Sequence, residues 1–201
     1  MLTLTRRTLL ALPGLCLLPR AAGAAGAVGT TLALQGSAQL RRAGGALPLH
    51  PQDMLMEQDG VATAADSFAE LELFTATRIH LGPQAEFTID RFAADLGGRL
   101  VVGGAMVFDR PDDLPKLDLQ VQTAFGQIGV RGTRFFAGPE GGGFAVFVQR
   151  GAVDLLAGGV QTRIAAGEGV DVPAPGAPPS AVKRWGAARI AAALALAGAA
   201  P

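Results

Sequence analysis

Tyrosine is absent from this chain, cysteine and tryptophan occur once each, and histidine occurs twice. Without tyrosine, a common proton donor and a common sugar-stacking ring are missing. The two histidines, His50 and His80, are thirty residues apart, and neither has a Glu or Asp at helical metal-ligand spacing. No Gly-x-Ser-x-Gly elbow occurs, and Gly138-Pro139-Glu140-Gly141-Gly142-Gly143 lacks the Lys-Ser/Thr of a phosphate loop. It reads as a hairpin tip. Glu70 and Glu72 lie ~7 Å apart on one strand face, whereas paired glycosidase carboxylates flank a cleft from different elements. Together these gaps leave no catalytic constellation, cofactor site or metal site, and the reading is of a protein that is not an enzyme. Lys183-Arg184 is too short a basic run to neutralise nucleic-acid phosphates.

Cys16, the one cysteine, lies in an N-terminal segment that does not belong to the folded domain. Thr5-Arg6-Arg7-Thr8-Leu9-Leu10 gives a charged start, Leu9 to Leu18 an apolar run, and Ala22-Gly23-Ala24 a small-residue cleavage site. Residues 1–24 therefore read as a signal peptide. The paired arginines fit a twin-arginine export address, with ordinary Sec export as the alternative. The apolar run falls short of the ~20 residues that span a bilayer, so no transmembrane segment is expected in the mature chain. Removing Arg6, Arg7 and Arg20 leaves 14 basic and 17 acidic side chains, a formal charge of −3. The rest of the chain then has no thiol, which suits a periplasmic location.

The sequence is rich in short alternating segments. Ala69, Leu71 and Leu73 alternate with Glu70 and Glu72, and Thr77, Ile79 and Leu81 with Arg78 and His80. The same period of two runs through Phe87 and Ile89, Leu119 and Val121, and Val160, Thr162 and Ile164. That is the pattern of half-buried strands. Asp59-Gly60, Gly82-Pro83, Gly97-Gly98, Gly103-Gly104 and Gly158-Gly159 punctuate them as turns. The fold class expected is mainly β: a single domain over residues 28–172 built of many short strands, as a β-roll, solenoid-like stack or sandwich. Asp109-Arg110-Pro111-Asp112-Asp113-Leu114-Pro115 reads as a solvated loop, because two prolines and an arginine break any calcium-loop spacing. Residues 173–180 form a proline-rich linker. Ser180 then offers a cap for a short C-terminal helix over residues 181–198, with Val182, Trp185, Ile190 and Leu194 on one face.

Between two apolar β-type runs lies Arg131-Gly132-Thr133. Gly132 supplies backbone freedom for a turn there, Thr133 bonds locally, and Arg131 braces neighbouring groups; the element reads as a structural corner rather than a ligand site. It follows Gln120-Val121-Gln122-Thr123 and precedes Phe144-Ala145-Val146-Phe147-Val148, Gly151-Ala152-Val153 and Ala166-Gly167-Glu168-Gly169. This order and spacing, together with Ala38-Gln39-Leu40-Arg41-Arg42 and Arg78-Ile79-His80-Leu81-Gly82-Pro83, resemble the FecR-type domain of bacterial cell-envelope signalling.

The resemblance implies a non-catalytic periplasmic module that works through protein–protein binding, in signalling or scaffolding. A membrane-bound sensor or an outer-membrane protein is the implied partner. The chain is expected to be a stand-alone exported member. It shows neither the cytoplasmic anti-sigma region nor the membrane span of the best-known members, and only about 30 residues follow Val172. A module binding an envelope glycan or other polymer is the alternative. An exposed strand edge and the C-terminal helix both qualify as the binding surface, and the sequence leaves that choice and the oligomeric state open.

Overall fold

Period-two alternation becomes two nine-stranded sheets in the computed structural model, which describes residues 26–73, 76–93, 96–115, 117–130 and 133–200. The export segment expected over residues 1–24 lies outside these, as do Arg131 and Gly132. In chain order the strands are β1 (Gly29–Gln35), β2 (Ala38–Arg42), β3 (Gly45–Pro48), β4 (Met54–Leu55), β5 (Gly60–Thr63) and β6 (Phe68–Leu73). There follow β7 (Thr77–Leu81), β8 (Glu86–Ala93), β9 (Gly97–Gly103), β10 (Met106–Asp109), β11 (Asp118–Thr123) and β12 (Gly126–Val130). The last are β13 (Arg134–Glu140), β14 (Gly143–Arg150), β15 (Ala152–Ala157), β16 (Val160–Ala165), β17 (Glu168–Val172) and β18 (Lys183–Arg184), before the helix α1 (Ala187–Leu196).

The chain shuttles between the sheets, mostly one hairpin at a time. The first sheet runs β4-β1-β6-β7-β10-β13-β14-β17-β18 and the second β3-β2-β5-β8-β9-β11-β12-β15-β16. Hairpins make nearly every pairing antiparallel. The exception is β9 with β11, which are parallel because β10 crosses to the first sheet between them. The architecture is a mainly β stack of two layers with one short C-terminal helix and no closed barrel.

The apolar residues of each alternation face the space between the layers. Leu71, Ile79, Phe108, Phe135 and Val148 are directly opposite one another across five strands of the first sheet. Leu100, Val121, Ile128 and Leu155 form the equivalent row in the second, and all of these side chains are buried in one core. The rings of Phe108 and Phe135 stack with centroids 5.3 Å apart. Alternation fails where both faces are covered. In β13 and β14, Phe135 to Ala137 and Phe144 to Val148 are buried without interruption, because α1 lies on the outer side of the first sheet. Ala105, Val107, Phe136, Ala145, Phe147, Trp185, Ala193, Leu194 and Ala197 make that second core.

The helix is shorter than the sequence suggests, and Ser180 does not cap it. Ser180 Oγ instead accepts a hydrogen bond from the Asp171 amide at 3.0 Å, while the Ser180 amide donates to the Asp171 carbonyl at 2.8 Å. That fastens the linker to β17, and Lys183-Arg184 then add a strand to the same edge. Helix α1 starts after Gly186, with no side-chain cap, and ends in a complete Schellman turn. The Gly198 amide donates to Ala195 and the Ala199 amide to Leu194, both at 3.0 Å, with Gly198 at φ +69°. An exit of this kind sets the last residues against Phe68, where a side chain at 198 would meet the ring at 2.6 Å.

Candidate interaction surface

The outer face of the first sheet is largely used up by the chain itself. Trp185 lies flat on Phe147, centroids 4.9 Å apart, and the Arg189 guanidinium sits over the indole, 3.6 Å from the ring centroid. Arg189 also donates Nε and Nη2 to Glu140 at 2.9 and 2.8 Å, and Nη2 to Asp171. The hydrogen bond to Glu140 is the main reason its guanidinium holds its proton more tightly than usual, against the opposing effect of burial. The tip Gly141-Gly142, both at positive φ, turns the β13–β14 hairpin so that Glu140 reaches the helix. Residues 183–199 thus form a strap tied to the first sheet by stacking, ion pairs and aliphatic burial.

Next to the strap the first sheet carries a cross-strand row of charges: Glu72, Arg78, Asp109, Arg134 and Arg150 occupy successive strands in register. Arg78 lies 3.5 Å from Glu70 and 3.9 Å from Glu72, and Arg150 lies 2.9 Å from both Asp109 and Asp112. The two glutamates therefore pair with a neighbouring strand. The loop after Asp109 is not simply solvated. Arg110 is 4% exposed and donates to Thr77 Oγ1 at 3.0 Å and to the Pro115 carbonyl at 2.8 Å. Pro111, Asp112 and Asp113 after it are exposed, but the Arg110 side chain turns inward to these partners. His80 sits half-buried in this face. Burial lowers its pKa below the ordinary histidine value, opposed by Glu70.

Thr133, of the Arg131-Gly132-Thr133 element, lies where the chain passes from β12 in the second sheet to β13 in the first. Its side chain is fully buried and its carbonyl accepts from the Arg110 amide at 3.1 Å. Thr133 lines none of the grooves around Gln39, Asp112, Gln127, Glu140 or Arg99. The structure thus keeps Thr133 apart from every open surface.

The outer face of the second sheet is open. Gln39, Glu86, Arg99, Gln120, Gln122, Gln127 and Gln161 project there between small residues such as Ala62, Gly103 and Gly129. Gln127 Nε2 donates to Gln120 Oε1 across β12 and β11, and Arg41 pairs with Glu86 at 3.1 Å. A groove of about 610 Å³ runs along its β2–β3 end, lined by Gln39, Arg41, Leu47, Ala62, Gln84 and Glu86. No aromatic ring lines it. Among the described residues every Phe and the single Trp are buried or half-buried. The sequence pointed to strands here, but it could not say which polar faces stay uncovered, since that depends on where residues 183–199 fold back.

A family model described as FecR protein matches residues 59–154. No curated protein matches the chain. Among solved structures, a provisionally assigned anti-sigma factor from Parabacteroides distasonis ATCC 8503, determined at 2.50 Å, aligns with TM-score 0.56 and 19% identity. The alignment covers 66% of this chain and 62% of that one. A 1.65 Å structure described in the same way aligns with TM-score 0.54 and 18% identity, over 66% and 63% of the two chains. The chain therefore spans less than two thirds of the length of either neighbour, and at this identity the likeness is one of fold.

Proposed function

Because residues 59–154 make this chain a member of the FecR family, we propose that it is a non-catalytic module of cell-envelope signalling or scaffolding that acts by protein–protein binding. In this reading it is exported through the twin-arginine segment at residues 1–24 and works in the periplasm against a membrane-bound sensor or an outer-membrane protein. Arg131, Gly132 and Thr133 serve as a structural corner and not as a ligand site.

The observation that carries the proposal is the asymmetry of the two sheets. The first is covered over β13 and β14 by its own strap, whose helix spends Ile190, Ala193 and Leu194 on the sheet and leaves mainly alanines and Leu196 exposed. The second presents a broad uncovered face of glutamines and small residues, flat enough to dock a folded surface and polar enough to stay soluble without one. Glycan recognition would call for exposed rings on that face, and the described rings are turned inward.

The test is photo-crosslinking in intact cells from Gln120 and Gln122, with Asp113 on the opposite side as control, followed by mass spectrometry. Capture of a membrane sensor or outer-membrane transducer from Gln120 and Gln122 but not from Asp113 supports the proposal. Capture of envelope polymer alone, or equal capture from Asp113, removes it.

A further inference from the structure

Four strands end the two sheets, and three of them are poor templates for another chain. β4 and β18 have two residues each. β3 ends in Pro48, which has no amide proton to offer, as expected for a protected edge. β16 has six residues and no proline, and Val160, Gln161, Arg163 and Ala165 along it are exposed.

The turn before β16 fixes which of its backbone groups are free. Gly158 and Gly159, at φ +52° and +75°, join β15 to β16 as a two-residue hairpin. Ala157 and Val160 therefore form a hydrogen-bonded pair, and such pairs alternate along the ladder. Val160, Thr162 and Ile164 use their backbone groups on β15, while Gln161, Arg163 and Ala165 point theirs outward. Ala165 obeys this phase, since its amide leaves the sheet and donates to Glu168 Oε2 at 3.0 Å. Glu168 thus closes one end of the edge, the hairpin turn closes the other, and the N–H and C=O groups of Gln161 and Arg163 remain between them.

We propose that this edge pairs with the same edge of a second copy, antiparallel about a two-fold axis at Thr162, so that the second sheet continues from one molecule into the next. The inference does not depend on the identity of an envelope partner. Three registers match outward groups to outward groups. An axis at Arg163 sets it against the partner's Arg163, a like-charge contact, and asks Ala165 for an amide already given to Glu168. An axis at Gln161 sets Arg163 against the partner's Gly159 in the turn. Only the axis at Thr162 puts Gln161 opposite the partner's Arg163, and Arg163 opposite the partner's Gln161, with all four outward groups of each copy engaged. It also sets Val160, now 45% exposed, beside the partner's Ile164. The contact is isologous, so it closes as a dimer. It is smaller than the ~1,200–2,000 Å² of stable interfaces, so the dimer forms at high local concentration.

The test is disulfide trapping in the full chain carrying Cys16→Ser, so that an introduced cysteine is the only thiol. Thr162→Cys places two thiols opposite each other in a non-hydrogen-bonded pair, and mild oxidation is expected to give a covalent dimer. Gln39→Cys, at the far end of the sheet, is expected to stay monomeric. Adding Arg163→Pro to Thr162→Cys removes an outward amide that β15 does not use, and is expected to cut trapping by about tenfold while the thermal transition is retained. Sedimentation of the unsubstituted chain up to about 1 mM gives an independent reading that no substitution can disturb. A chain monomeric throughout that range, trapping no better than from Gln39→Cys, or trapping that survives Arg163→Pro would each overturn the proposal.

Discussion

Gly169→Ala adds one methyl group and should detach the C-terminal strap. Gly169 is paired with Phe147 on β14 and with Lys183 on β18, and the Trp185 indole lies directly over it. A Cβ built at this position meets Trp185 Cε2 at 2.6 Å, comes closer still to Nε1, and meets the Val146 carbonyl oxygen at 2.7 Å. The carbonyl belongs to a central strand and cannot yield, so the ring must. The backbone at Gly169 is not in the left-handed region. Removing glycine's extra freedom in the unfolded chain would by itself stabilise by about 0.4–1 kcal/mol. Against that stands the overpacking cost of about 1–3 kcal/mol, rising toward the ~3–5 kcal/mol of a lost Trp if the ring leaves altogether. The net expectation is a loss of about 3 kcal/mol. For a chain of this size that lowers Tm by roughly 6–12 °C, at ~2–4 °C per kcal/mol. Trp185 is the only tryptophan and is 8% exposed, so its fluorescence reports the strap directly. The emission maximum should move to the red before the far-ultraviolet circular dichroism of the sheets changes. An unshifted emission with an unchanged or higher Tm would refute the reasoning.

Other expectations follow from the same packing. Leu194→Ala opens a cavity in the second core, where Leu194 is 1% exposed, and should cost about 2–5 kcal/mol in urea unfolding; a change below about 1 kcal/mol would show that the strap collapses freely. Asp59→Ala removes the acceptor of the Arg42 Nε and Nη2 bonds at 2.8 and 2.6 Å and of the Met56 amide at 2.7 Å. Because Asp59 is 1% exposed while Arg42 reaches water, the expected loss is about 2–3 kcal/mol, read from chemical denaturation. His80 has a folded pKa below its unfolded value, so the unfolded chain binds the proton more readily. Its contribution to stability is complete above the unfolded pKa and is lost as pH falls from there through the folded one. His80→Gln should flatten that part of the Tm-against-pH curve and leave it unchanged at alkaline pH.

Much of the β-domain was legible because its strands are buried on one side only. The alternation of Leu71 and Leu73 with Glu70 and Glu72, or of Leu119 and Val121 with Gln120, is imposed by a pleat with a core on one face and water on the other. The reading weakened where that condition failed. β16 is an edge strand, so only Ile164 of its apolar alternation is buried. In β13 and β14 a second covering layer erases the period. Ser180 carried a legitimate capping signal, yet the helix begins only after Gly186, since Ser180 gains more by holding Asp171 and letting Lys183-Arg184 extend the sheet. Gly198 did carry a readable signal, a glycine just past an apolar helical run, and the Schellman turn is what it marks.

The candidate surface was less legible, and the reason is geometric. Sequence order alone showed that Ala166-Gly167-Glu168-Gly169 matters, but the role of its glycines came from outside the motif: Gly167 turns at φ +82°, and Gly169 stays bare because Trp185 lies on it. Likewise Asp59-Gly60 read as a turn, and Asp59 is also the buried partner of Arg42 seventeen residues earlier. Local alternation and turn chemistry were enough to determine a mainly β chain of short strands, since each depends only on neighbours within a few residues. Which sheet each strand joins, which face the C-terminal strap seals and which edge stays open were decided by the tertiary structure. Those outcomes turn on contacts between residues far apart in sequence, and no local pattern encodes them.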